Sequence, residues 1–305
     1  MELDNTKASC FRTCKRKYYW QHVQGLQSNY GSSAIRYGVC WHGMMEGYYS
    51  YIAENGWSNK ERAIHAALQL GREKWDKETE KKNFLPDYRT FDSCCKAFMH
   101  YLSFYSKDEE FLKIVATETR FRCGIFPASY QEENLLKDIQ EGLIFTGRLD
   151  LQIEMNLSNW ILDFKTTGQS LSVQGARLNK SGQLMGYSYA GKEVLDFRAE
   201  GCLVSLAYVS AYKSKKTGEY GDVSTDFARI PQIYSEKDLD NWKASFIDTA
   251  WGIRRCENEN WWPVNYDSCY QYGACGYTRL CDQNSFPDVI TEGYHVDHWD
   301  VMKED

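Results

Sequence analysis

The chain has 305 residues, 43% hydrophobic and 26% charged, with a formal net charge of −6 at pH 7. This length and composition are typical of a globular protein with a full hydrophobic core, and they argue against a long disordered linker. The acidic balance excludes a protein that coats nucleic acid through its overall charge. No apolar run is long enough to span a bilayer, and residues 1–17 lack the apolar centre of a signal peptide, so we expect a cytoplasmic protein without membrane contact.

The first third of the chain has the pattern of helices. Residues 9–24 are expected to form a short helix, and Ser32 and Ser33 are placed to cap a second helix that reaches about residue 53. Ser58, followed by Glu61 three residues later, has the form of a capping box for a third helix. A fourth helix is expected over residues 91–105, so residues 1–110 form a mostly helical N-terminal part.

Residues 111–234 instead have the pattern of strands. The expected strands cover residues 111–125, 143–155, 160–166, 202–212 and 222–234. The turn Asn156-Leu157-Ser158-Asn159 joins the second strand to the third, and a helix is expected over about 180–195. Ser235 is placed to cap a final helix that leads to a Cys-rich tail. We therefore expect one α/β domain over residues 1–305, with the catalytic β-core at 111–234 and the last helix and tail at 235–305.

The second and third strands carry two acids and a lysine. Asp150 ends the sequence Gly147-Arg148-Leu149-Asp150, and the next strand contains Asp163-Phe164-Lys165. Because side chains alternate along a strand, Asp163 and Lys165 share one face and Phe164 takes the other. Two strands of one hairpin can thus bring Asp150, Asp163 and Lys165 to one point.

This combination suits the hydrolysis of phosphodiester bonds. Mg²⁺ is commonly bound by one or two carboxylates together with phosphate and water, which Asp150 and Asp163 could provide. Lys165 could then orient the attacking water or stabilise the charge of the transition state. The alternative is a hairpin with surface charges and an ion pair across its edge.

These motifs resemble the paired core motifs of the PD-(D/E)xK nucleases, in particular the RecB/AddB-like, CRISPR-adaptation-type exonuclease branch. In the resemblance, His42 is a further metal ligand beside Asp150 and Asp163, whereas a lone histidine would otherwise indicate a packing residue. Gln183 and Tyr187 share a helix face and resemble the family's Gln-x-x-x-Tyr motif, which positions substrate and active-site groups. The resemblance implies a restriction-endonuclease-like core with a central mixed β-sheet flanked by helices, and Mg²⁺ or Mn²⁺ as cofactor.

The tail contains Cys269, Cys275 and Cys281 next to glycines that permit tight turns. In a cytoplasmic protein, clustered cysteines indicate a metal or iron–sulfur site rather than disulfides. The resemblance implies a 4Fe-4S cluster held by these three cysteines and Cys14, although the tail spacing departs from the commonest form and Cys10 is a second choice. A structural Zn²⁺ site and free reduced cysteines remain alternatives.

The expected function is that of a DNA exonuclease acting on single-stranded ends, in recombination, repair, replication or CRISPR-type adaptation. The sequence contains no phosphate-binding Gly-x-x-x-x-Gly-Lys-[Ser/Thr] loop, so a helicase or recombination protein would be a separate partner. A phage protein would suit the compact size. The alternatives are a non-catalytic DNA-binding or scaffold protein that keeps the fold, and an RNA-directed nuclease.

Local basic segments and aromatic residues offer surfaces for DNA. The basic residues form two groups, Arg12, Lys15, Arg16 and Lys17 near the start and Lys213, Lys215 and Lys216 in a later loop, where solvated surface charge is the alternative. The aromatic candidates for stacking on bases are Tyr18, Tyr19, Trp20, Trp261 and Trp262, although for any one of them packing in the core is the expected role.

Overall fold

The computed structural model describes residues 1–125, 142–195, 197–271, 273–282, 293–298 and 300–303. The chain forms two compact units. Unit 1 comprises Met1–Tyr30, Arg120–Arg148 and Ser235–Asp305, and unit 2 comprises Gly31–Thr119 and Leu149–Tyr234. The expectation of a single domain over the whole chain stays a prediction.

The helices and strands of the described residues follow the expected order in most places. The α-helices are α1 (Asn5–Thr13), α2 (Lys15–Tyr18), α3 (Ser33–Asn55), α4 (Lys60–Lys81), α5 (Phe91–Phe104), α6 (Asp108–Phe111), α7 (Leu171–Leu178), α8 (Gly182–Glu193), α9 (Glu236–Glu259) and α10 (Thr278–Asp282), and a π-helix (Tyr19–Val23) follows α2. The strands are β1 (Glu2–Asp4), β2 (Leu26–Ser28), β3 (Leu112–Gly124), β4 (Ile144–Met155), β5 (Ser158–Thr167), β6 (Gly201–Lys213), β7 (Tyr220–Gln232) and β8 (Tyr294–Val296).

Unit 2 is built on a mixed sheet with β5 and β6 at its centre. β5 pairs antiparallel with β4 and parallel with β6, and β6 pairs antiparallel with β7. Side chains from α3, α4 and α5 form one hydrophobic core with Leu162 and Phe164 of β5. On the opposite face, a Cβ at Gly191 of α8 would lie only 2.9 Å from the side chain of Ile161, which shows how closely this helix packs on β5. A central mixed sheet flanked by helices is the restriction-endonuclease-like arrangement, so the expected fold class is confirmed.

Unit 1 contains the first half of β4, the N-terminal segment and the long helix α9. β1 pairs parallel with β4, with Leu3 opposite Phe145. Phe145 packs against Trp242 and Phe246 of α9, with ring centroids 5.2 Å apart in both cases. A separate small cluster of Trp20, Leu26, Tyr277, Leu280 and Tyr294 lies around the two-stranded β2–β8 sheet.

Two expectations about helix boundaries are wrong. The predicted helix over residues 9–24 is interrupted at Cys14, whose extended backbone (φ −162°, ψ 119°) separates α1 from α2. The predicted capping box at Ser58 does not form, because residues 57–59 make a 3-10 turn and the side chain of Asn59 caps α4 instead. The N-terminal part is therefore helical apart from β1 and β2, which are too short to be visible as a pattern.

No helix within the described ranges is long and apolar enough to cross a membrane.

Candidate active site

Unit 2 brings the six predicted nuclease residues close together through four elements. They are His42 on α3, Asp150 on β4, Asp163 and Lys165 on β5, and Gln183 and Tyr187 on α8. All six residues lie in the parts of the chain that form unit 2, so the site is built by one compact set of contacts.

The site begins where β4 and β5 stop pairing. Paired residues of the two strands run from Met155–Ser158 to Leu151–Leu162. One residue further along β4, the carboxylate of Asp150 accepts a hydrogen bond from the backbone N–H of Phe164, at 2.8 Å from Oδ2. The side chain of Asp150 thus replaces a backbone hydrogen bond between the two strands. This bond fixes Asp150 against β5, the strand that carries Asp163.

The imidazole of His42 contacts the same carboxylate. Its Nδ1 lies 3.4 Å from Asp150 Oδ2, and its side chain is 38% exposed. Partial burial lowers the pKa of His42, but the charge of Asp150 and the hydrogen bond to it outweigh burial and raise the pKa overall. For Asp150, burial raises the pKa, but His42 and then Lys165 outweigh it and lower the pKa overall. The protein alone therefore favours a charged imidazole beside a charged carboxylate.

Asp163, which is buried, and Lys165, which is half-buried, form an ion pair on one face of β5. Lys165 Nζ lies 2.9 Å from Oδ1 and 2.8 Å from Oδ2 of Asp163, whose side chain is only 2% exposed. Despite this short distance, Asp163 Oδ2 is fully buried and makes no hydrogen bond of good geometry. Burial raises the pKa of Asp163 despite the charge of Lys165. For Lys165, burial lowers the pKa, and the charges of Asp163 and Asp150 outweigh it and raise the pKa overall.

Gln183 and Tyr187 lie one turn apart on α8 and are joined by a hydrogen bond, in which Gln183 Nε2 donates to Tyr187 Oη at 2.9 Å. Burial, followed by the negative charges of Asp163 and Asp150, raises the pKa of Tyr187. The phenol therefore faces the same acids and stays protonated. The hydrogen bond confirms the expectation, made from helix spacing, that Gln183 and Tyr187 share one face of the helix.

The donor set fits a divalent cation in its chemistry. An imidazole and two carboxylates are suitable ligands for Mg²⁺ or Mn²⁺, and the buried Asp163 Oδ2 makes no hydrogen bond of good geometry, although it lies 2.8 Å from Lys165 Nζ. The set is not a finished metal cage, because within the described residues no three His, Cys, Asp or Glu side chains are gathered to hold an ion. In this structure, Lys165 holds the carboxylate of Asp163 instead.

The cysteines give no comparable support for an iron–sulfur or zinc site. Cys14 Sγ accepts a hydrogen bond from the N–H of Asn265 at 3.4 Å, and the N–H of Cys275 donates to the carbonyl oxygen of Cys269 at 2.7 Å. Burial, and then the charges of Cys275 and Cys14, raise the pKa of Cys269, so these thiols are electrostatic neighbours in unit 1. They nevertheless do not form a metal-holding group in the described part of the chain, and the predicted cluster with Cys281 as fourth member is not supported.

The sequence did not point to two side chains at the C-terminal end of β5. Tyr88 donates a hydrogen bond to the carbonyl oxygen of Val209 at 3.0 Å, and Nη2 of Arg89 lies 3.3 Å from the position of a Cβ on Gly168. Both come from the segment between α4 and α5. No motif or periodicity links that segment to the sheet, so only the tertiary structure reveals its contacts with Val209 and Gly168.

The mixed sheet, its flanking helices and the acids at the end of the β4–β5 hairpin define an α/β protein with a restriction-endonuclease-like fold. The family model of the PD-(D/E)XK nuclease superfamily matches residues 5–282, and the chain belongs to this superfamily. It is therefore a nuclease by family, and such nucleases typically use Mg²⁺ or Mn²⁺.

Other comparisons add little. No curated protein matches the chain significantly. Among solved structures, the crystal structure of SSO0001 is similar at 12% sequence identity, covering 77% of this chain and 82% of that chain, with a TM-score of 0.28. A likeness at this level carries no conclusion about fold or activity.

Proposed function

We propose that the protein is a metal-dependent deoxyribonuclease that hydrolyses phosphodiester bonds as an exonuclease on single-stranded DNA ends. The proposal rests on one observation: Asp150, Asp163 and Lys165 meet at the separated end of the β4–β5 hairpin, beside His42. A protein that merely kept the fold would have no need for the buried carboxylate of Asp163 beside a half-buried lysine, because burying a charge is costly unless it serves a purpose.

Each side chain has a defined role in this proposal. His42, Asp150 and Asp163 would hold the divalent ion, which when bound would lower the pKa of a water ligand and offset charge on the phosphate. Lys165 keeps its proton, since its pKa is raised, and its ammonium group would stabilise negative charge on the phosphate and orient water. Gln183, fixed by its hydrogen bond to Tyr187, would position the substrate.

The direct test is cleavage of end-labelled single-stranded DNA with Mn²⁺. We expect Asp163→Asn and Lys165→Ala each to lower the rate by about 10²–10³, the usual cost of losing one such group. Lys180→Ala is the matched control, since it removes a positive charge from an exposed residue of the same unit. Cleavage that survives both site substitutions would refute the assignment.

The mode of attack needs separate substrates. Blocking either the 5′ or the 3′ end should abolish cleavage for an exonuclease of the corresponding polarity, and full cleavage of circular single strands would identify an endonuclease. Parallel digestion of RNA of the same sequence separates a DNA-directed from an RNA-directed nuclease.

The second candidate is a non-catalytic DNA-binding or scaffold protein. The closed Asp163–Lys165 ion pair is the observation that favours it, because this pair leaves no metal cage among the described residues. Titration calorimetry with Mn²⁺ distinguishes the two. A nuclease should bind Mn²⁺ in a manner that Asp163→Asn abolishes, whereas a scaffold should show no such binding and no cleavage.

Neither the tail cysteines nor a particular pathway is needed for this proposal. Stoichiometric iron with broad absorbance in the blue would establish a 4Fe-4S cluster, and stoichiometric zinc in a colourless preparation would establish a zinc site. A partner helicase and a role in recombination, repair or CRISPR-type adaptation stay expectations from the resemblance, to be tested by co-purification from the native host.

A further inference from the structure

Unit 1 contains a groove of about 1250 Å³ between the end of α1 and the C-terminal half of α9. Phe11 and Gly252 are among the residues that line the groove. They are closely packed, because a Cβ at Gly252 would lie only 2.8 Å from the Phe11 ring. Pockets for small ligands are usually about 300–1000 Å³, so the groove is larger than one small molecule needs. All residues that line it belong to unit 1.

The groove is positive in a protein that is negative overall. Four cationic side chains line it, Arg12, Lys15, Arg254 and Arg255, against the two carboxylates of Asp248 and Glu259. Arg254 pairs with Glu257 at 3.1 Å, and Arg255 pairs with Glu259 at 2.9 Å. The cations left without a paired carboxylate are therefore Arg12 and Lys15, against the one remaining carboxylate of Asp248.

These two cations lack acidic partners. Within the described parts of the chain, neither Arg12 nor Lys15 has a carboxylate at ion-pair distance, and the contact of Arg12 is a long hydrogen bond of 3.5 Å to Ser245 Oγ. Lys15 Nζ lies 5.5 Å from the centroid of the Phe11 ring. Arg12 is exposed, so its guanidinium is open to an anion. An anion in the groove would supply a counter-charge.

Exposed aromatic side chains flank the lining segment 263–265 in the sequence. Trp261 is 60% exposed, Tyr266 81% and Tyr270 72%, whereas Tyr18, Trp20 and Trp262 are buried in the unit. Aromatic faces that remain open to solvent suit stacking on unpaired bases, which a duplex would keep inside its own stack. The anion that fits both the cations and the aromatic faces is therefore a single-stranded polynucleotide.

We propose that this groove binds the phosphodiester backbone of single-stranded nucleic acid, with Arg12 and Lys15 as the phosphate-contacting cations. The inference rests on the proposed nuclease function, because it assigns the groove to that enzyme's substrate. It differs from the basic segment expected from sequence, since Arg16 donates to the carbonyl oxygen of Trp262 at 2.6 Å and serves the packing of unit 1.

The test is fluorescence anisotropy of a labelled oligothymidylate of roughly 15 nucleotides, near the upper site size of one single-strand-binding module. Measurement in EDTA prevents cleavage, and a series of salt concentrations gives the slope of log affinity against log salt. For the full-length Arg12→Ala/Lys15→Ala protein, we expect binding about tenfold weaker and a slope shallower by about 1.4, or about 0.7 for each lost phosphate contact. Arg12→Lys/Lys15→Arg should keep the wild-type slope.

Two further variants keep the proposal falsifiable if that double variant folds poorly. Lys77→Ala/Lys107→Ala removes the same charge from exposed positions of unit 2 and should leave the slope unchanged. Asp248→Asn removes a carboxylate from the groove and should tighten binding severalfold. An equal loss in both double-alanine variants would show that bulk charge, not the groove, binds the strand, and an unchanged slope for Arg12→Ala/Lys15→Ala would also overturn the proposal.

Competition identifies the form of the anion. Displacement of the oligonucleotide by low millimolar inorganic phosphate would show a small-anion pocket and overturn the proposal, as would tighter binding of duplex than of single strand. The experiments also distinguish failure of the proposed binding groove from failure of the proposed nuclease function. Wild-type protein that binds in EDTA with the expected slope but never cleaves leaves the groove intact, whereas cleavage without any change in the double variant removes the groove alone.

Discussion

Replacing Arg229 by Met should destabilise the protein, because it would leave the carboxylate of Asp108 buried without its counter-charge. Arg229 donates from Nη1 and Nη2 to the two oxygens of Asp108 at 2.7 and 2.6 Å. The side chains are only 13% and 10% exposed, so solvent screens the pair weakly. Breaking a buried ion pair by removing one partner costs about 3–5 kcal/mol, and we expect Arg229→Met to fall in this range.

Removing both partners should cost far less. The Oη of Tyr49 also donates to Asp108 at 3.1 Å, but one neutral donor does not neutralise a buried charge. In Asp108→Leu/Arg229→Met, the charges disappear together, so we expect stability within about 2 kcal/mol of wild type. The ring of Tyr49 stacks on Phe164 with centroids 5.6 Å apart, and Phe164 lies between Asp163 and Lys165 in the sequence. We therefore expect Arg229→Met to lower nuclease activity as well.

The assay is urea unfolding of wild type, both single variants and the double variant, followed by tryptophan fluorescence and circular dichroism. Coincident transitions are needed before free energies of unfolding are compared. Arg255→Met is the control, since its pair with Glu259 is exposed and such pairs contribute about 0–1 kcal/mol. A loss below about 1 kcal/mol for Arg229→Met, or additive losses in the double variant, would refute the reasoning.

Three further outcomes are expected. A Cβ at Gly47 would lie 2.7 Å from a backbone carbonyl oxygen of α4, so Gly47→Ala should cost about 1–3 kcal/mol in urea unfolding. Gly38→Ala, on the same helix with its nearest atom at 3.7 Å, should gain up to about 1 kcal/mol; similar effects of the two would contradict the packing argument. Burial, and then the charges of nearby lysines, lower the pKa of His22 from 6.5 to about 4. Between these two values, His22 binds a proton in the unfolded protein but not in the folded protein. The stabilising effect of neutral His22 is complete above pH 6.5 and falls towards pH 4, by about 1–2 kcal/mol after discounting for partial exposure. His22→Gln should remove this part of the pH dependence of unfolding, and an unchanged profile would show that the ring is not excluded from water. Tyr187→Phe removes the acceptor that fixes Gln183, and we expect kcat to fall about tenfold with little change in KM; a change confined to KM would instead assign the pair to ground-state binding.

The sequence predicted the parts of the fold that depend on local pattern. Strand alternation placed Asp163 and Lys165 on one face, and the helix repeat placed Gln183 beside Tyr187. The position of His42 followed from the resemblance, because a single histidine on a helix has no pattern of its own. These predictions needed only neighbours within one turn or one hairpin.

Features that depend on distant partners could not be predicted. β1 has three residues and exists because Glu2–Asp4 pairs with Ile144–Thr146. Arg229 and Asp108 are separated by 121 residues, and neither forms part of a motif. The break at Cys14 is another case, since the N–H of Arg16 donates to the carbonyl oxygen of Pro263 near the other end of the chain. Propensity favours one continuous helix there, and tertiary contacts override it.

The hairpin between β4 and β5 turns on Asn156 and Leu157, which both have positive φ (51° and 63°), and Leu157 is 94% exposed. The tip lies between the two acids of the candidate site in the sequence and contributes little apolar burial. Opening the chain there would place Asp150 and Asp163 on different polypeptides, each inert by itself. Reassembly of the two fragments would then be visible as restored hydrolysis, which makes this tip a natural point for a conditional, split nuclease.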